Sequence, residues 1–81
     1  DPDNGAYLDS LVWFYYKKGK LKEAQGLLVK AASLMPDPVI FDHLGDVYFK
    51  LKDLEKARAN WQESLRLEPG QIKVEEKLKR N

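Results

Sequence analysis

The feature that most constrains this chain is that it is similar to itself. Sliding the sequence by 33 residues lays Leu11 on Leu44, Tyr15 on Tyr48, Tyr16 on Phe49, Lys17 on Lys50, Leu21 on Leu54, Ala24 on Ala57, Leu34 on Leu67 and Pro36 on Pro69. A fixed period of this length is the mark of a stacked array, in which each unit buries its apolar face against its neighbours because it cannot do so alone. A shift of 34 residues the other way takes Pro36 to Pro2, so Asp1-Pro2-Asp3 reads as the tail of a preceding unit, and the chain as a piece that begins at a repeat boundary.

Within each unit the apolar residues follow the three-and-four spacing of a helix. Leu8, Leu11, Val12 and Tyr15 share one side of a wheel, and Leu21, Ala24, Leu28 and Ala31 repeat the pattern. Gly19 supplies the positive φ that ends a helix, while Asp37-Pro38 offers an N-cap followed by a proline whose missing N–H costs nothing at the first helical position. These signals predict helices near 5–18, 22–34, 38–51, 54–67 and 71–80, with no run of period two long enough for a strand. The fold class is therefore all-α, a solenoid of antiparallel helix pairs. Its parts are a remnant at 1–4, one unit over 5–37, a second over 38–70 and a C-terminal capping helix over 71–81. In that last helix Val74 and Leu78 form the apolar side, and Lys73, Lys77, Lys79, Arg80 and Asn81 are expected to face water.

Composition removes several function classes. With 14 basic and 13 acidic residues, the net charge of +1 gives no electrostatic pull toward nucleic acid. Trp13, Tyr16 and Phe49 beside Lys17 and Lys50 could stack bases, but Asp9, Asp42 and Asp46, interspersed with them, would repel phosphates. No apolar run reaches the roughly 20 residues of a membrane span. The chain reads as a soluble domain of cytoplasm or periplasm, without membrane insertion. There is no cysteine and one histidine, no glycine-rich phosphate loop, and no third ligand converging on Asp42, His43 and Asp46. The expectation is a non-catalytic protein with no metal and no cofactor.

The second unit reads Phe41-x2-Leu44-Gly45-x2-Tyr48, then Ala57-x3-Trp61, then Pro69; the first reads Leu8-x2-Leu11-Val12-x2-Tyr15, Ala24-x3-Leu28 and Pro36. This pattern resembles the tetratricopeptide repeat over residues 5–70, in wording similar to bacterial members that form parts of larger proteins. The first unit departs from it by carrying Leu8 for the aromatic and Val12 for the glycine. A valine opposite Ala24 is expected to overpack that helix pair, which would make Val12→Gly neutral or stabilising.

The resemblance implies that the first helix of each unit lines a concave wall that holds a peptide or protein segment. Carried onto this chain, the wall is Asp9, Trp13, Tyr16 and Lys17 from the first unit and Asp42, His43, Asp46, Phe49 and Lys50 from the second. Aromatic anchors beside carboxylates suit an apolar guest bearing Lys or Arg. A clamp for a C-terminal carboxylate is not expected, since Asp9, Trp13, Asp42 and His43 occupy the region where such clamps carry Lys and Asn. Tyr7 and Phe14 point to where a preceding unit would stack, so neighbouring repeats are expected partners and weak self-association is expected of the chain alone. The alternative is a purely structural module, built to stack and holding no guest. Asp46→Lys, expected to leave melting unchanged, would test the groove, and Phe14→Glu the stack.

Overall fold

In the computed structural model the backbone is described over residues 5–81 and the side chains over 10–81. Five α-helices follow one another: α1 (Gly5–Lys17), α2 (Leu21–Leu34), α3 (Pro38–Lys50), α4 (Leu54–Leu67) and α5 (Ile72–Arg80). Each lies within a residue of its predicted bounds, and no strand occurs among the described residues. Both α3 and α4 start 33 residues after α1 and α2, so the sequence period is also the period of the fold. Helix α5 starts 34 residues after α3, one residue late.

The boundaries have local causes. Asp37 accepts a 2.8 Å bond from the Val39 N–H ahead of Pro38, as the capping signal required. Asp53 does the same for α4, accepting from the Lys56 N–H at 3.1 Å. Gly19 takes a φ of 77° at the α1–α2 turn. Its counterpart in the α3–α4 turn is Lys52, held at a φ of 68°, where a side chain crowds its own backbone.

Consecutive helices pack on one another, α1 on α2, α2 on α3, α3 on α4 and α4 on α5. One core gathers Val12, Ala24, Leu28, Leu44 and Val47; a second gathers Ala57, Trp61 and Val74. Val12 is 6% exposed and sits beside Leu28. In the second unit the same two positions hold Gly45 and Trp61, and the Trp61 indole lies where a Cβ on Gly45 would be. Gly with Trp has been exchanged for Val with Leu, a swap that roughly conserves volume across the contact. The expected overpacking at Val12 is thus corrected: a valine fits because its partner is the smaller leucine, and Val12→Gly would open a hole.

Beside this second core, the polar side chains around the junction of α4 and α5 are paired. Ser64, with no exposed surface, donates to the Pro38 carbonyl at 2.7 Å. Gln71 donates to the Ser64 hydroxyl and carbonyl at 3.1 Å each and to the Glu68 carbonyl at 2.8 Å. Arg58 reaches the last turn of α5, donating to the Leu78 and Asn81 carbonyls at 2.8 Å, which supplies partners that a helix C-terminus otherwise lacks. Val74 is buried and Leu78 half-buried, as expected of the terminal helix. Lys73, Lys79, Arg80 and Asn81 are exposed; Lys77 is not, and turns inward.

Candidate functional site: the inner wall of α1, α3 and α5

Helices α1 and α3 share the face on which the predicted groove residues recur every turn. The 13 residues of α3 place Asp42, His43, Asp46, Phe49 and Lys50 along one side. Between the two helices lies a cleft of ≈ 360 Å³ lined by Val12, Trp13, Tyr16, His43, Asp46 and Val47. Four of these, Trp13, Tyr16, His43 and Asp46, are expected wall residues brought together. Val12 and Val47 form the floor, and both belong to the core below.

The aromatic wall is ordered by ring contacts. Trp13, 61% exposed, stacks on Tyr16 with ring centres 6.1 Å apart and planes within 6°, and the Lys17 ammonium stands 5.6 Å over the Trp13 ring. Phe49, 39% exposed, leans on the buried Trp61 with ring centres at 6.0 Å. Burial raises the Tyr16 phenol above its ordinary pKa and the charge of Asp46 adds to this, while Lys77 works the other way. The phenol is thus a neutral hydrogen-bonding group at the cleft. Lys17 and Lys50 are exposed at the ends of their helices. The side chains of Asp9 and Tyr7 lie outside the described residues. Phe14 is 53% exposed and meets Tyr15 edge-on, with the Lys18 ammonium 5.7 Å over its ring.

The two carboxylates of α3 already hold a basic group. Lys77 of α5 donates to Asp42 Oδ1 at 2.8 Å and approaches both oxygens of Asp46, at 3.0 and 3.2 Å. Asp46 Oδ1 also accepts from the Trp61 indole N–H at 3.2 Å. Burial disfavours the Lys77 ammonium, but its hydrogen bonds to Asp42 and Asp46, together with their charges, outweigh that and hold its pKa above the ordinary 10.5. Sequence reasoning missed Lys77 by assigning it to water. The signal that could have found it is the 34-residue spacing from His43, which puts it at the groove position of a following unit. The Trp61 bond escaped that reasoning too, because its acceptor Asp46 lies 15 residues away on the facing helix.

Asp46→Lys therefore cannot leave the fold untouched: it would remove an acceptor from Trp61 and set a second ammonium against Lys77. Among the described residues no three His, Cys, Asp or Glu side chains gather as metal ligands would, and no helix is long and apolar enough to cross a membrane.

Residues 39–71 match the tetratricopeptide repeat family. A TPR repeat-containing protein of the bacterium Pseudomonas aeruginosa is 41% identical over 46 residues, a stretch that covers 57% of this chain and 8% of that protein. The chain thus aligns with a small part of its bacterial relative. The matched stretch takes in helix α3, helix α4 and the loop into α5, and the all-α architecture is consistent with a helical repeat of that type. Such repeats are generally protein-interaction modules and typically non-catalytic.

Proposed function

We propose that this chain is a non-catalytic interaction module whose inner wall holds an apolar segment of a partner protein. In this reading the units are residues 5–37 and 38–70, closed by a cap over 71–81. The observation that carries the proposal is the pair of exposed aromatic side chains, Trp13 and Phe49, one on each helix that walls the cleft. Large apolar rings left in water beside a concave floor are the usual anchors of a binding surface. Trp13, Tyr16 and Phe49 anchor the guest, His43 and the Tyr16 hydroxyl contact its backbone, and Lys17 and Lys50 meet its polar groups.

The test is selection of apolar peptides from a display library, followed by titration against Trp13→Ala and Phe49→Ala. Each substitution should weaken binding by about tenfold, the scale of one interface anchor, with unchanged helicity by circular dichroism. Selected peptides that bind both variants as well as the parent would overturn the reading.

A second role is favoured by one comparison. Phe14 is 53% exposed, whereas its counterpart Val47 is 1% exposed because the first helix pair covers it. The α1 edge carrying Phe14 would accept a further helix pair of the same build, in a neighbouring repeat or weakly in a second copy. Sedimentation at millimolar concentration should show concentration-dependent association that Phe14→Glu removes; a strictly monomeric parent would count against it.

A further inference from the structure

Among the described residues, the Asp and Lys side chains of the inner wall fall into two groups. Asp42 and Asp46 are engaged from within: Lys77 contacts one oxygen of the first and both oxygens of the second, and the Trp61 indole shares Asp46. A guest ammonium could reach these carboxylates only by displacing a lysine tethered beside them, whose effective concentration is on the order of millimolar or higher. Lys17 and Lys50 are different. They occupy equivalent positions in the last turns of α1 and α3, are exposed, and have no carboxylate within ion-pair distance among the described residues. Each follows a cleft-lining residue, Trp13 or Asp46, by one helical turn, so both stand at the rim of the same cleft.

We infer that Lys77 sets the charge preference of the groove: by satisfying Asp42 and Asp46 internally it leaves Lys17 and Lys50 to select a partner segment bearing Asp or Glu side chains among its apolar residues. This rests on the groove reading above and reverses the preference for a basic guest that the sequence suggested. Two rim lysines attract an acidic segment, while a basic one meets the same two charges as repulsion.

Three acetylated and amidated peptides with one Leu/Phe frame, carrying Ser, Asp or Lys at the polar positions, are titrated into the protein. Binding is followed through the indole N–H resonances of Trp13 and Trp61, the two tryptophans of the chain. The Asp peptide should bind about fivefold more tightly than the Ser peptide, as expected of two exposed pairs, and the Lys peptide more weakly than either. Added salt should shrink that preference. In Lys17→Gln/Lys50→Gln the Asp and Ser peptides should become equal. In Lys77→Met, which keeps the stem but not the charge, the Lys peptide should draw level with or pass the Asp peptide and shift the Trp61 resonance.

A Lys peptide that binds the parent as tightly as the Asp peptide overturns the inference and leaves the groove reading standing. Binding by none of the three overturns both. Should Lys77→Met fail to fold, the rim variant decides: an unchanged Asp-to-Ser ratio refutes the assignment. A Ser peptide with a free C-terminus serves as a fourth arm, and tightest binding by it would move recognition from side-chain carboxylates to a chain end.

Discussion

The two helix pairs solve one packing problem with different residues. Where α3 meets α4, Gly45 makes room for the Trp61 ring, which then reaches across to donate to Asp46 at the groove. Where α1 meets α2, Val12 and Leu28 fill the same space with two aliphatic side chains and no polar reach. The turns differ in the same compensating way. The first has Gly19 in the left-handed conformation and Lys20, without a side-chain bond, before α2; the second has Lys52 in that conformation and Asp53 as a working cap. A repeat position is thus defined by its partner, and a residue that departs from the family pattern is read correctly only with the residue opposite.

The largest effects should come from breaking the Gly45–Trp61 pair. Gly45→Val and Trp61→Leu should each cost about 3 kcal/mol, the first by overpacking and the second by leaving a hole and an Asp46 oxygen short of a donor. The double variant recreates the first unit's solution, so its loss should fall short of the sum by at least about 1 kcal/mol. Chemical denaturation of the four proteins measures this, and strict additivity would dissolve the comparison. Next in size, Val12→Gly should cost about 2 to 3 kcal/mol from lost burial and helix propensity.

The same comparison runs through Phe14 and Val47. Val47→Ala should cost about 2 kcal/mol, while Phe14→Ala, on an uncovered edge, should stay within about 0.5 kcal/mol. Equal losses would mean that the α1 edge is covered in solution. In the turns, exchange should stabilise in both directions: Lys52→Gly and Lys20→Asp should each add about 1 kcal/mol, by relieving a positive φ and by supplying a cap. Thermal melts with no gain from Lys52→Gly would show that its conformation costs little.

A further effect is a pH dependence. The Lys77 pKa is raised in the folded chain, so its stabilising contribution is fully present below the ordinary 10.5 and is lost as pH climbs through the raised value. The stability difference between the parent and Lys77→Met, about 1 kcal/mol at neutral pH for a partly exposed pair, should fade at strongly alkaline pH. A difference that persists there would show that Lys77 acts through its stem.

Much of the site was legible because it inherits a helical period. Trp13, Tyr16, His43 and Asp46 line one cleft, and all four were among the residues that the resemblance set on one wall. What escaped was the charge state of that wall. Lys77 looked like one more lysine on the polar face of a short terminal helix, and nothing near it in the chain marks it otherwise. Its partners lie 35 and 31 residues away. The single residue by which α5 starts late in the period helps decide which of its side chains faces the groove.

The sequence by itself determined the helices, their ends and their order. Those follow from apolar spacing, capping side chains and glycine at a turn, all of which act over a few residues. Only the tertiary structure decided that Trp61 lies over Gly45, that Val47 is covered while Phe14 is not, and that Asp42 and Asp46 are spent on Lys77. Those outcomes depend on how rigid helices are set against each other, where a rotation of one residue changes which side chains can meet.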